Sequence, residues 1–283
     1  MKAGFWVAPA GAEDAMTILS IGADEPKTAD RRISLLATGE GEVLARACPR
    51  VRDLLPKIVA ALESQKAAEP GRLFDLTEFS DDEQRLISDA VGEGEVAGVV
   101  ALPDGIDAQI QEANMAGLWR VRFTDAQGRL FADYLEVASL PEIVKRATLN
   151  NCRPLSFGEA PDGAMNVMPL LNEIGARSQA WRRGDDNHTI TFSLLPMSPA
   201  DMSFLQKTLG PGSAKLFSKG YGSCRVRSTA TLHVWSVQYL NASDEIVLDT
   251  LEVGAPPAAA CAADEDFADS AQRLREIEGA YFS

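Results

Sequence analysis

Apolar residues recur at helical spacing from Pro49: Val51, Leu54, Leu55, Ile58, Val59 and Leu62 fall on one face, which predicts an amphipathic helix. Pro56 lies inside the pattern and marks a kink or a later start, because proline removes an interior hydrogen bond. Gly71 introduces Leu73-Phe74-Asp75-Leu76-Thr77, a strand candidate. Ser80-Asp81-Asp82-Glu83 has the spacing of a capping box, with Ser80 as cap and Glu83 three residues on. The helix it opens runs through Leu86, Ile87 and Val91 to Gly92. The pattern then shortens to strand-like runs. These are Val96 to Leu102, a Pro103-Asp104-Gly105 turn, a strand from Ile106, and strands around Trp119 and Leu135, together an antiparallel meander.

The same grammar returns about 116 residues later. Trp119 answers Trp235 and Asp133 answers Asp249 at that offset. Leu170-Leu171-Asn172-Glu173-Ile174 answers Leu54-Leu55-Pro56-Lys57-Ile58, and Ile190 to Leu195 answers the Phe74 strand. Ser198-Pro199-Ala200-Asp201 opens a second short helix, with proline at its first position and an acid at its third. Leu209-Gly210 ends it as Val91-Gly92 ends the first. Repetition at fixed offset predicts an α+β fold of two tandem copies of a helix, strand, helix and antiparallel meander, related by a pseudo-twofold rotation. The boundaries expected are a lead segment over 1–47, in which Thr17-Ile18-Leu19-Ser20-Ile21 is a short strand candidate and 39–42 an exposed loop, and copies over 48–145 and 166–257. An Asn-, Pro- and Gly-rich linker fills 146–165, and a tail over 258–283 carries a helix from about Asp264 to Gly279.

Alternation assigns the faces of the meander. Trp119, Val121 and Phe123 share one side, as do Trp235, Val237 and Tyr239, which reads as core. Arg120 and Arg122 become Ser236 and Gln238 on the other side, which reads as surface. Asp133 and Asp249 share a side with Leu135 and Leu251, so both are expected to be structural carboxylates with bonded partners.

Composition changes the picture in three places. The 283 residues carry a net charge of −14, a field that repels phosphate backbones and attracts basic partners, so nucleic-acid binding is excluded as an expectation. No apolar run reaches the length of a membrane span, and the start lacks the apolar stretch of a signal peptide, so a cytoplasmic protein without membrane insertion is expected. Cys48, Cys152, Cys224 and Cys261 are widely spaced, and His188 and His233 are the only histidines. Neither a disulfide, a metal site nor a catalytic triad is expected from such a set, and no cofactor motif is present.

Comparison of the copies singles out one stretch. Pro103-Asp104-Gly105 is an ordinary turn, whereas its counterpart Gly220-Tyr221-Gly222 sets an aromatic between two flexible residues. Between Asp201 and Asp244 there is no acidic residue, while Lys207, Lys215, Lys219, Arg225 and Arg227 all fall there. The first copy carries Asp81, Asp82, Glu83, Glu93 and Glu95 in its corresponding part. The expected partner-binding set is therefore Lys219, Gly220, Tyr221, Gly222, Cys224, Arg225 and Arg227, with no catalytic and no metal residues. Cys224 alternates with Val226 and Ser228, toward Trp235, and is read as buried; Arg225 beside it keeps a reactive thiol as the alternative.

The second copy resembles the HupH/HyaF family of accessory proteins for nickel–iron uptake hydrogenases. The matching residues are Pro169 to Ile174, Leu209-Gly210-Pro211-Gly212, Ser218 to Thr229, Val234 to Asn241 and Ile246 to Val253. The family pattern S-R-G-Y-G has arginine where this chain has Lys219, a change that weakens any bidentate contact made there. The resemblance implies a non-enzymatic chaperone, without cofactor. Its implied client is the iron–sulfur small subunit precursor, held before export, beside a thioredoxin-like accessory protein. The alternative is a carrier of metal or of the Fe(CN)2(CO) unit, acting on the large subunit through Cys224.

Overall fold

The structure, a computed structural model, describes residues 47–219 and 222–282. The strand candidate at Thr17–Ile21, the loop at 39–42, Gly220 and Tyr221 lie outside the described residues. Six α-helices and ten strands are described, and the chain divides into two compact units. Among the described residues the first unit holds 47–97, 103–142 and 261–282, and the second holds 98–102 and 143–260.

In the first unit the elements are α1 (Pro49–Ser64), β1 (Arg72–Asp75), α2 (Asp81–Val91), the opening of β2 (Val96–Ala101), β3 (Asp107–Glu112), β4 (Leu118–Thr124) and β5 (Leu130–Val137). Strand order is β1-β5-β4-β3, and the register pairs are antiparallel. α1 passes through Pro56 without ending, because Val51, Leu54, Leu55, Ile58, Val59 and Leu62 are all buried along one face. α6 (Asp264–Phe282) closes this unit by packing against α1 and α2, with Phe267, Ala271 and Leu274 in their common core. The helix expected in a separate tail is thus part of the first unit's core.

The second unit contains α3 (Glu142–Asn150, from Ile143 on), α4 (Val167–Ala180), β6 (His188–Thr191), α5 (Pro199–Leu209), β7 (Pro211–Ser218), β8 (Ser223–Thr229), β9 (Val234–Leu240) and β10 (Ile246–Val253). Its strand order is β7-β8-β9-β10-β6, with antiparallel register, and β2 from Gly98 onward lies beside β7. A Cβ at Gly98 would stand 2.5 Å from the Lys215 carbonyl oxygen, so this approach needs glycine. Two expectations are corrected here. The stretch expected as linker begins inside α3, and the strand expected over Ile190 to Leu195 stops at Thr191 and turns into a 3-10 segment, Phe192–Leu194.

The facial assignment is corrected as well. Directly opposed residues share a face, so Leu118, Arg120, Leu135 and Val137 lie together, and this is the face on which α1, α2 and α6 pack. Val234, Leu251 and Val253 mark the corresponding face under α4 and α5. The rows read as surface therefore face the helices. Trp119 and Trp235, on the opposite rows, are buried too. Polar side chains occupy a helix-covered row only because they are satisfied there. Arg120, 5% exposed, donates through Nε to Asp133 Oδ1 at 3.0 Å and through Nη2 to Oδ2 at 2.7 Å. Its remaining donors reach Ser88 Oγ at 2.5 Å and Gln84 Oε1 on α2. Asp133 is structural as expected, though its main partner is an arginine side chain.

The Ser80 capping box forms as expected, and the helix start at Ser198 turns out to be a second one. Asp201, fully buried, accepts from Ser198 N at 2.9 Å and Ser198 Oγ at 2.7 Å, closing α5. Its other oxygen accepts from Asn166 N at 2.8 Å and Val167 N at 3.0 Å, the opening amides of α4. Burial pushes its carboxyl up, but the bonds from Ser198, Asn166 and Val167 outweigh that and hold it below the usual aspartate range. Glu83 does the same for α2 through Ser80 N at 2.9 Å, and reaches the start of α1 through Arg50 Nη1 at 3.5 Å.

Asp201→Ala strands buried amide donors at two helix starts, so it should cost about 2–4 kcal/mol in urea unfolding at pH 7. With a folded pKa depressed below 3.8, the carboxylate's contribution is present above the unfolded value and lost as pH falls through the folded one. The gap between parent and Asp201→Asn should therefore narrow on acidification below about pH 4; a gap that stays constant would place the energy elsewhere.

Candidate functional site

Of the basic residues singled out, Lys215, Arg225 and Arg227 come together on β7 and β8, Lys219 follows β7, and Lys207 lies apart on α5. Lys215 stands opposite Arg227, and Phe217 opposite Arg225. Arg225 in turn opposes Gln238, which opposes Asp249; Arg227 opposes Ser236, which opposes Leu251. Two rows therefore cross the sheet on one face, Phe217-Arg225-Gln238-Asp249 and Lys215-Arg227-Ser236-Leu251. α4 and α5 cover the part of this face near Val234, Leu251 and Val253. Arg225 and Arg227 are half-buried, while Lys215, Lys219 and Gly222 are exposed. Lys219 and Gly222 flank Gly220 and Tyr221 in the β7–β8 connection.

The first unit has equivalent rows with the charges moved. Gln109 opposes Arg122, which opposes Asp133, and Gln111 opposes Arg120, which opposes Leu135. There the arginines sit on the strand next to the aspartate, and Arg120 and Arg122 reach Asp133 at 2.7 and 3.4 Å. In the second unit arginine moves one strand outward, and glutamine takes the place beside aspartate. Gln238 Nε2 donates to Asp249 Oδ1 at 3.4 Å. Asp249 is bonded to a neighbouring strand, as expected for a structural carboxylate, and stands a full strand away from the Arg225 position.

Cys224 does not belong with this surface. It is 3% exposed, lies opposite Tyr239 on the face away from Arg225, and burial, reinforced by the Glu252 charge, pushes its thiol up to about 11. Buried and protonated, Cys224 presents no thiolate on the face that carries Arg225, so the contact set proposed below leaves it out. All four cysteines are free thiols, and the described residues hold no group of three or more His, Cys, Asp or Glu side chains placed for a metal ion. His188 is bonded to Glu173 at 2.7 Å, and the His233 ring packs at a tilt against Trp181 with 4.6 Å between ring centroids. Both histidines have structural partners. Glu83, counted above as surface charge, is a buried cap.

One further concavity lies in the first unit. A cleft of about 720 Å³ is lined by Glu95, Glu112, Asp266, Asp269, Arg273 and Glu276, among others. Glu112 is buried and accepts from Gly117 N at 3.3 Å. Burial pushes its carboxyl up to about 7, with the charges of Asp266 and Glu95 adding to the rise and backbone bonds opposing it. Sequence reading missed this grouping, because α6 joins β3 from more than 150 residues away, and only the fold brings the acids together.

Fold and site define an α+β protein with a charged sheet face and no described helix long and apolar enough to cross a membrane. A family model described as HupH hydrogenase expression protein, C-terminal conserved region, matches residues 50–151 and 164–281. The chain is 57% identical over 282 residues to the hydrogenase expression/formation protein HupH of Rhizobium leguminosarum bv. viciae, across 100% of both chains. It is 42% identical over 229 residues to the hydrogenase expression/formation protein HoxQ of Azotobacter vinelandii, covering 80% of each. It is 35% identical over 206 residues to the hydrogenase-1 operon protein HyaF of Escherichia coli (strain K12), covering 72% of this chain and 71% of that one. This chain therefore belongs to the HupH family of hydrogenase expression proteins, and the match extends over both stretches rather than the later one alone.

Two measurements follow from the ionisable groups. Glu112 has a folded pKa of about 7 against an ordinary 4.5, so its contribution to stability is fully present below 4.5 and lost as pH rises through 7. Glu112→Gln should gain on the parent across that window, by at most about 3 kcal/mol at pH 8, in urea titrations run at a series of pH values. A difference that does not vary with pH would contradict the raised value. For Cys224, a thiol-specific disulfide reagent at pH 8 should modify the folded protein slowly at that position and the urea-unfolded protein at once. Rapid native modification that disappears in Cys224→Ser would restore the accessible-thiol reading.

Proposed function

We propose that this protein is a non-catalytic accessory chaperone in nickel–iron hydrogenase maturation. It binds the iron–sulfur small subunit precursor in the cytoplasm before export, beside a thioredoxin-like accessory protein. Family membership and the printed names of the relatives support the maturation role. The two stretches matched by one family model, with the same element order and the same strand order in each unit, support descent from a duplicated ancestor.

The observation that carries the binding reading is the outward shift of arginine in the second unit. In the first unit an arginine pair is absorbed by an adjacent buried aspartate. In the second, Arg225 and Arg227 stand beside Lys215 and Lys219 with Gln238 between them and Asp249. Duplicated folds conserve what the core needs, so a charge displaced in one copy alone marks use rather than architecture. Lys219, Gly220, Tyr221, Gly222, Arg225 and Arg227 form the proposed contact set. Tyrosine and arginine supply large contact area with polar reach, and the glycines let a partner segment lie close. The remaining acidic surface steers basic segments toward the protein at low salt.

A pull-down with the hydrogenase small subunit precursor tests this. Tyr221→Ala with Arg225→Ala should weaken capture at least tenfold, about 1–2 kcal/mol. Asp104→Ala with Gln109→Ala, at the corresponding hairpin of the first unit, should change little. Equal losses from both pairs, with circular dichroism unchanged, would remove the asymmetric site.

A further inference from the structure

Strand β10 offers a surface that none of the foregoing uses. β6 pairs with it only over Thr250–Val253, so among the described residues Ile246, Val247 and Leu248 have no strand on that edge. The register with β9 slips between Ile246 and Leu248, a bulge that gives Val247 no direct partner. Val247 is 63% exposed and Leu248 37%. The 3-10 segment that follows β6 packs along β10 and carries Leu194, 81% exposed. Val247 and Leu248 thus stand exposed on the part of β10 that β6 leaves open, and exposed Leu194 sits on the 3-10 segment packed along the same strand, an edge of the kind that proteins avoid or use.

The charges around this edge select the occupant. Asp244 and Glu245 are exposed in the turn that enters β10, and Asp249 follows the apolar run. A second copy is a poor fit, because antiparallel pairing centred on Val247 would set the Glu245 carboxylate of one copy against Asp249 of the other. The bulge also breaks the regular spacing that a long intermolecular ladder requires. The related edge in the first unit has a bulge at Phe131, but there Arg129 is paired with Asp125 at 2.7 Å, leaving no net charge to choose a partner.

We propose that the outer edge of β10, from Ile246 to Leu248 with Leu194 beside it, docks a short extended apolar segment of a partner protein that carries basic residues at one end. The aliphatic side chains of such a segment meet Leu194, Val247 and Leu248. Its basic end lies over Asp244 and Glu245, and its backbone adds hydrogen bonds to the open edge. This surface does not depend on the Arg225–Arg227 face, and the two can fail separately.

The test uses the full-length protein and a labelled ten-residue peptide, Lys-Arg followed by alternating leucine and serine, with binding read by fluorescence anisotropy. The combined change Val247→Glu and Leu194→Ser should weaken binding at least tenfold, whereas Leu73→Ser, at an exposed apolar position of the first unit, should leave it unchanged. A peptide with Asp-Glu in place of Lys-Arg, or with proline at alternate positions, should bind at least about tenfold more weakly. Arg225→Ala should bind the peptide like the parent, which separates this site from the one proposed above. The proposal is overturned if the parent does not bind the peptide at millimolar concentration, or if Val247→Glu binds it equally. A concentration-dependent dimer abolished by Val247→Glu would also overturn it, by assigning the edge to a second copy. The single change Val247→Thr keeps the β-branched shape and serves where the glutamate variant fails to fold; unchanged affinity in both Val247→Thr and Leu194→Ser would overturn the proposal too.

Discussion

A buried carboxylate at the third position of a short helix ties together the two helix starts that lie over each unit's sheet. In the second unit Asp201 ties the first amides of α4 to the cap of α5, four bonds on two oxygens with no exposure to water. Four donors aimed at one point stabilise the charged form more than burial destabilises it. The consequence is geometric. With both helix starts anchored to one atom group, Leu170, Leu171, Ile174, Leu205 and Leu209 are held over Val234, Leu251 and Val253, and one face of the sheet becomes a core. Glu83 is the longer version of the same device in the first unit. It reaches α1 through Arg50, whose guanidinium also lies over the Phe79 ring at 4.1 Å.

Once the helices are placed, polar positions on the covered face must be satisfied or left beyond the helices' reach. The first unit satisfies them. Arg120 spends its donors on Asp133, Ser88 and Gln84, binding α2 to β4 and β5. Removing one member would leave a buried charge, a loss of about 3–5 kcal/mol. The second unit fills the same rows with Ser236 and Gln238 and moves its arginines to β8, farther from the helix-covered end. The same strand rows therefore pair arginine with aspartate on adjacent strands in the first unit and separate them by a strand in the second.

Much of the architecture was legible in the sequence because its signals are local. Capping boxes at Ser80 and Ser198 depend on three-residue spacing, and the helix ends at Gly92 and Gly210 on a backbone geometry that glycine favours. Strand positions came from alternation. The basic cluster came from a charge gap and a strand pairing that put Lys215 opposite Arg227. What escaped was non-local. Alternation says that two rows differ and does not say which one faces helices, because a row containing Arg120 can be buried when Asp133 stands on the next strand. The acidic cleft escaped for the same reason, since Glu112 and Asp266 are neighbours only through the docking of α6.

Most of the elements, the recurrence of matching residues about 116 positions apart and the lack of acid between Asp201 and Asp244 could be read from the chain alone, being properties of short windows or simple comparison, whereas α3, inside the stretch expected as linker, could not. Only the packed fold set which sheet face the helices cover, that Cys224 is sealed, that α6 belongs to the first unit's core, and that Val247 and Leu194 are both exposed. Each of these depends on what residues far apart in the chain place beside one another. Burial, protonation and accessibility are properties of that surrounding, and no window of sequence contains it.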